Sequence, residues 1–209
     1  MAEAASVPPI VHVVDDDESL RDALGSLFRS VGLTPRLYGS AKEFLDGVDP
    51  AVPGCIVLDI RLPGTSGLDF QVQLAENGIG LPVILMTGHG DIPMSVRGMK
   101  AGAVDFLAKP FRDQDMLDAV AVAMERDAKR RAEEGGTATI KHRFETLSPR
   151  ERQVMTLVTA GKMNKQVAGD LALSEVTVKI HRGSAMRKMG ARTLADLVRM
   201  ADTLSLRQA

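Results

Sequence analysis

The first 125 residues alternate two hydrophobic periods, and this alternation constrains the chain more than any other feature of its sequence. Short β-type runs stand at 10–14, 34–38, 55–58, 83–86 and 104–107, at the roughly 20- to 30-residue spacing that βα units require. Helical patterns fill the gaps. The clearest places Leu20, Ala23, Leu24, Leu27, Phe28 and Val31 at steps of three and four residues, on one helix face. Ser40 with Glu43 has the spacing of a capping box, and Ile92, Val96 and Met99 mark a weaker helix further on. Five strands alternating with five helices predict an α/β fold with a parallel sheet covered on both faces.

Beyond this region the pattern changes. A helical face with Met116, Leu117, Val120 and Met124 runs into the charged stretch 126–134, and Gly135-Gly136-Thr137 is expected to stop it and begin a short linker. No strand signal follows. Ser148-Pro149-Arg150-Glu151 combines an N-cap, a first-turn proline and a capping-box glutamate, and Asn164, Ser174 and Thr193 are expected to cap three further helices. The domain so predicted is small and all-α. Charge divides along the same line. Residues 1–125 carry 9 basic against 18 acidic side chains, whereas residues 141–209 carry 13 against 6. The second segment is therefore suited to a polyanion. A single cysteine, Cys55, excludes an intramolecular disulfide framework. The first nine residues lack the basic and apolar regions of a signal peptide, and no apolar run approaches the ~18 residues of a membrane span. A cytoplasmic protein without a membrane partner is expected.

In a parallel sheet, ligands bind beyond the carboxyl ends of the strands. Strand one ends here at Asp15-Asp16-Asp17, the third β-run at Asp59, the fourth at Thr87-Gly88, and the fifth is followed by Lys109-Pro110. Carboxylates converging on one edge repel unless a cation neutralises them, and Mg²⁺ is a hard cation that suits oxygen ligands. A carboxylate, a lysine and a hydroxyl aimed at one point can accept a phosphoryl group: Asp59 as nucleophile, with Lys109 and Thr87 stabilising the oxygens. An acidic triplet alone is more often a solvated helix cap; the coincidence of four strand ends favours the chemical reading. His12, His89, Cys55, Met94 and Met99 are assigned to packing or surface roles.

The stretches Val13-Val14-Asp15-Asp16-Asp17-Glu18, Leu58-Asp59-Ile60-Arg61-Leu62-Pro63-Gly64, Thr87-Gly88-His89-Gly90-Asp91 and Ala103-Val104-Asp105-Phe106-Leu107-Ala108-Lys109-Pro110-Phe111 resemble the receiver domains of two-component response regulators, above all the FixJ type. The resemblance covers residues 8–128. It implies a flavodoxin-like, doubly wound five-stranded sheet of order 2-1-3-4-5. It also implies that Asp59 is the phosphoacceptor and that Asp15, Asp16, Asp59 and the Arg61 carbonyl hold Mg²⁺. Thr87 and Phe106 match the switch positions, Lys109 the lysine, and Lys109-Pro110 a cis peptide.

In the basic segment, 164–189 reads as helix, tight turn and helix, the pattern of a helix-turn-helix whose second helix enters the major groove. Val178, Ala185, Met186 and Met189 share one face of that helix with the stem of Arg182, while Lys179, Gly183 and Arg187 lie along another. Leu147-Ser148-Pro149-Arg150-Glu151-Arg152-Gln153-Val154, Asn164-Lys165-Gln166-Val167-Ala168 and Ser174-Glu175-Val176-Thr177-Val178-Lys179-Ile180-His181-Arg182 resemble the LuxR/FixJ-type DNA-binding domain, over residues 144–204. The resemblance implies that Lys179, Ile180 and Gly183 face bases and that Lys165, Thr177, Arg182 and Arg192 contact phosphates. Gly183 departs from the family in having no side chain. The domains expected are a receiver at 8–128, a helical extension and linker at 129–143, and the helix-turn-helix domain at 144–209. The implied function is a transcription factor, not an enzyme. A sensor histidine kinase phosphorylates it, it dimerises through the receiver, it binds double-stranded DNA, and RNA polymerase is a further candidate partner. Three alternatives remain at this point. An aspartyl phosphohydrolase is one, although its usual second acid is replaced by Arg61. A module binding RNA or a protein surface is another, with only Phe144 as a stacking aromatic. The third is the same fold activated without phosphate.

Overall fold

The computed structural model of the chain describes residues 7–88 and 92–206, and for 92–95 the backbone alone. The assignments of His89 and Met94 lie outside the described residues. In chain order the elements are β1 (Ile10–Val14), α1 (Glu18–Ser30), β2 (Thr34–Tyr38), α2 (Ala41–Gly47), β3 (Gly54–Asp59), β4 (Arg61–Leu62), β5 (Thr65–Ser66), α3 (Gly67–Glu76), β6 (Val83–Thr87), α4 (Ile92–Lys100), β7 (Asp105–Ala108), α5 (Asp113–Glu145), α6 (Pro149–Thr159), α7 (Asn164–Leu171), α8 (Glu175–Met189) and α9 (Leu194–Thr203). The chain divides into two compact units at Arg130–Arg131.

The first unit holds the expected sheet. Its strands are parallel, in the order β2-β1-β3-β6-β7, so β1 and β3 lie inside and are buried along their whole length. Val11, Val13, Cys55, Val57, Ile84 and Met86 face one way, against Leu24 and Phe28 of α1 and Met116, Ala119, Val120 and Ala123 of α5. Val14, Ile56, Leu58 and Leu85 face the other, against Phe44 of α2 and Leu68, Phe70 and Leu74 of α3. Apolar burial on both faces explains why the strands read as unbroken apolar runs. The α1 stripe is narrower than its periodicity implied: Ala23 is exposed, and Val31 caps the helix and is 51% exposed. Cys55 is a core residue whose thiol is pushed up to about 12 by burial, with Asp127 adding to the effect. His12 is also buried. Its Nδ1 lies 3.1 Å from the Tyr38 hydroxyl, and burial, reinforced by Arg36, lowers it to about 4, so it is a neutral structural group. Met99, assigned to packing, is instead 47% exposed, as is Val96 at 44%.

Helix α5 departs from the expectation as well. Gly135-Gly136 does not end it; the helix continues to Glu145. Two glycines in a helix interior disfavour it by about 2 kcal/mol together. The ends, however, are fixed by packing, with Met116 to Ala123 in the first unit's core and Ile140 and Phe144 against the second unit's. Tertiary burial thus overrides a local stop signal. A long-range tether adds to this: the buried Asp127 accepts the Gly54 amide at 3.0 Å and pairs with Arg130 at 2.6 Å.

The second unit packs α6, α7, α8 and α9 around Val154, Met155, Val158, Val167, Val178, Ala185, Met189 and Leu197. Ser174 and Thr193 cap as expected. Asn164 does not: it is the first residue of α7, the cap is Met163, and the Gln166 side chain accepts the Met163 amide at 2.8 Å. The Ser148 capping box is present and extended into a hub. Glu151, only 5% exposed, accepts the Ser148 amide at 2.7 Å, the Ser184 hydroxyl at 2.6 Å and the Lys188 ammonium at 2.7 Å. Burial alone would raise this carboxyl, but hydrogen bonds from Lys188, Ser184 and Ser148 prevail and hold it at about 2. Glu151 therefore ties the start of α6 to the far half of α8. Ionised Glu151 stabilises the unit fully above its ordinary value of 4.5, and that contribution disappears as pH falls toward 2. Glu151→Gln is expected to destabilise the second unit by about 2 kcal/mol at neutral pH and to flatten its acid dependence between those values, read by scanning calorimetry of the full chain.

Candidate functional site

The strand ends meet where the fold predicts. Asp15 follows β1 directly and is fully buried, and Asp59 closes β3 at 7% exposure. Asp16 is exposed at their rim, and a carboxylate oxygen from each of the three lies within 4.8 Å of the others. The Lys109 ammonium bridges the two buried acids, at 2.7 Å from Asp15 Oδ2 and 2.9 Å from Asp59 Oδ2. Asp17, the third acid of the triplet, is not in this group. It caps α1, accepting the Leu20 amide at 3.2 Å, so the helix-cap reading of the triplet holds for Asp17, while Asp15 and Asp16 cluster with Asp59.

The remaining oxygens are held by the backbone. The Asp17 amide donates to Asp15 Oδ1 at 2.9 Å and the Arg61 amide to Asp59 Oδ1 at 3.2 Å. Arg21, which the sequence did not single out, fixes the Asp15 carbonyl at 2.6 Å. Burial raises the Asp15 carboxyl, opposed by Lys109 and the Asp17 amide; the Lys109 ammonium, which burial lowers, is raised overall by its two carboxylates. Thr87 is buried at the end of β6, and its carbonyl accepts the Lys109 amide at 2.7 Å, which sets the lysine's origin against that strand. The peptide between Lys109 and Pro110 is cis. Phe106, on β7, is half-buried against the α2/α3 side of the core. Arg61 is exposed on β4, a short strand the sequence did not reveal.

Gly67 matters to this geometry. A Cβ there would sit 2.3 Å from the Asp59 carbonyl oxygen, so only glycine lets α3 begin this close to the acid. Three carboxylates against one ammonium leave a local charge of −2, and the donors are all hard oxygens. The group therefore fits a divalent cation such as Mg²⁺. An apolar groove of about 720 Å³, lined in part by Leu20, Leu27, Pro110 and Phe111, opens beside Lys109.

In the second unit α7 and α8 are joined through Ala172, which takes the left-handed conformation at φ 53°. The Val178, Ala185 and Met189 face of α8 is buried, as its spacing implied. Lys165, Lys179, Ile180 and Arg192 are exposed. Arg182 is half-buried with Nη1 3.4 Å from Asn164 Oδ1, and the Thr177 hydroxyl lies 2.8 Å from that of Ser174. Lys188 is committed to Glu151 and is not part of this surface. Val176, 67% exposed on the same helix, was not singled out in the sequence; its place four residues before Ile180 was the available signal.

A doubly wound sheet with an acid and lysine pocket at its carboxyl edge, carried in one chain with a helix-turn-helix unit, defines a response regulator. Residues 11–121 match the response regulator receiver domain family and residues 145–201 the family of bacterial regulatory proteins of the luxR type, and the chain belongs to the response regulators that join the two. It is 60% identical to Nodulation protein W of Bradyrhizobium diazoefficiens over 97% of this chain and 89% of that protein. It is 44% identical to the transcriptional regulatory protein FixJ of Azorhizobium caulinodans, over 91% of this chain and 90% of FixJ. The solved structure of the response regulator StyR superposes with a TM-score of 0.83 at 45% identity, covering 93% of this chain and 98% of that one. The chain is thus a FixJ-type transcription regulator, not an enzyme, with a DNA-binding helix-turn-helix and the acidic pocket of a receiver.

Because Asp15 is fully buried and Lys109 is its counter-ion, Lys109→Met is expected to lower the receiver's stability by about 3 kcal/mol. The additional change Asp15→Asn should recover most of that loss, a coupling read by urea unfolding of the two single variants and the double variant.

Proposed function

We propose that Asp59 accepts a phosphoryl group from a sensor histidine kinase and that its occupancy controls DNA binding by the second unit. The observation that carries this reading is the single ammonium of Lys109 held between Asp15 and Asp59 at 2.7 and 2.9 Å. In the transfer an Asp59 carboxylate oxygen attacks phosphorus, the bond from phosphorus to the donor imidazole nitrogen breaks, and its electron pair stays on that nitrogen. Asp15, Asp16, Asp59 and the Arg61 carbonyl would hold Mg²⁺, which supplies positive charge beside the transferring group. Lys109 exchanges one of its carboxylate contacts for a phosphoryl oxygen, and the Thr87 hydroxyl donates to another. The groove beside Lys109 offers the kinase an apolar surface next to the acceptor.

The consequence is a population shift. A phosphoryl group adds charge and acceptor oxygens that Lys109 and Thr87 engage together in one loop arrangement, with Phe106 following inward. Val96 and Met99, exposed on α4, support a receiver homodimer through α4 and β7 in the phosphorylated form, which brings two recognition helices to a two-fold DNA site. Among the described residues no helix is long and apolar enough to cross a membrane. Control of DNA binding calls for the cytoplasm, where DNA and RNA polymerase, a further proposed partner, are found. The boundaries proposed are 8–128 for the receiver, 129–143 for the helical extension and 144–209 for the DNA-binding domain. In the latter, Lys179, Ile180 and Gly183 face bases, whereas Lys165, Thr177, Arg182 and Arg192 meet phosphates.

Two experiments test this reading. Acetyl phosphate is expected to label the wild-type chain and not Asp59→Asn, whose fold by circular dichroism stays unchanged; equal labelling of the variant contradicts the assignment. Lys165→Ala is expected to weaken duplex binding across sequences and to reduce the slope of log K against log salt by about one; an unchanged slope removes Lys165 from the phosphate contacts.

A further inference from the structure

The exposed face of α8 carries an apolar stripe that solvent exposure alone does not explain. Val176 and Ile180 are 67% and 64% exposed, on a short basic helix whose opposite face supplies the core residues Val178, Ala185 and Met189. Neither side chain belongs to the second unit's core, and four residues apart on one helix they form a joint apolar patch rather than two scattered exposed groups. Gly183 continues the stripe seven residues after Val176. A Cβ built there would meet only the Arg187 guanidinium, at 3.9 Å, so packing does not require glycine. Glycine in a helix interior nevertheless disfavours it by about 1 kcal/mol. Both oddities lie on the surface that the proposed function turns toward DNA.

On the basis of that reading we propose that Val176 and Ile180 read thymine C5-methyl groups in the major groove, and that Gly183 is bare so that α8 can approach the groove floor. The stripe has no side-chain donor or acceptor, so it cannot distinguish bases by hydrogen bonds; the thymine methyl is the one apolar mark the major groove displays. Four residues of helix rise about 6 Å, close to two base-pair steps at about 3.4 Å each. The two methyls read should therefore lie about two steps apart. Lys179, between them in sequence and exposed, is placed to reach a guanine edge or a phosphate beside the same steps. The operator is in consequence expected to be specified in large part by shape and methyl contact rather than by bidentate hydrogen bonding.

The test uses the full-length chain treated with acetyl phosphate and Mg²⁺. Duplexes are selected from a randomised library, and the best is remade with deoxyuridine for each thymidine in turn, which removes one methyl and no hydrogen-bonding group. Two positions about two steps apart are expected to lose affinity about fourfold each, the value of one buried methyl-sized group. Ile180→Ala should make one of them insensitive to the exchange and Val176→Ala the other. Both variants keep a helix-favouring residue at an exposed position and should fold as the parent does. Gly183→Ala is expected to raise the thermal stability of the second unit while weakening duplex binding at least tenfold. If deoxyuridine costs no affinity at any position while Lys179→Ala still weakens the same duplex, DNA binding stands and methyl readout falls. If the library yields no selected duplex, the DNA reading itself falls and takes this one with it.

Discussion

One ammonium group between two buried carboxylates is the interaction on which the receiver unit's function turns. A parallel sheet gathers the ends of its strands at one edge, and here that edge brings Asp15 and Asp59 together in a nearly water-free position. Burial raises the Asp15 carboxyl, and the Lys109 ammonium opposes that shift. Lys109 offsets part of the negative charge, and the two units of negative charge that remain favour a divalent cation, whose own charge would offset the repulsion an incoming phosphoryl group meets. The same bridge makes the site responsive. A lysine shared between two acids can exchange one partner when a new anionic oxygen arrives, and its backbone amide is bonded to the Thr87 carbonyl, so the loop after β7 and the end of β6 are mechanically joined.

The second unit solves a different problem with a related device. Four short helices cannot bury much apolar surface, and Glu151 compensates by collecting the amide of Ser148, the hydroxyl of Ser184 and the ammonium of Lys188. That hub holds α6 against α8, and so sets which face of α8 remains outside. Lys188 is consumed by this task although it lies on the recognition helix, whereas Val176, Lys179 and Ile180 remain exposed. Glu151 and the buried Val178, Ala185 and Met189 face thus together set which side of α8 stays exposed.

Much of this was legible in the sequence because the relevant signals are local. Short β-type runs located the strands of the main sheet and 3.6-residue periods its helices, the acids and Lys109 lie at strand ends where parallel sheets place functional groups, and the Ser148 capping box is a four-residue pattern. What was missed depends on contacts distant in sequence. Gly135-Gly136 reads as a stop, but α5 is held at both ends by cores that no window of that length includes. Asn164 reads as a cap, yet Met163 holds that position, its amide donating to the Gln166 side chain. Met99 reads as a packing group because periodicity registers apolarity, not what lies opposite. The role of Arg21 at the Asp15 carbonyl and that of Gly67 against the Asp59 carbonyl follow from three-dimensional proximity alone.

The most direct test of the central claim is chemical mapping of the acceptor. The chain is treated with acetyl phosphate and Mg²⁺, reduced with borohydride, which converts an acyl phosphate to an alcohol, and digested for mass spectrometry. The account predicts that the reduced residue is at position 59 and at no other acid. Reduction at Asp15, Asp16 or Asp17, or at none of these acids under conditions that phosphorylate the chain, would contradict it.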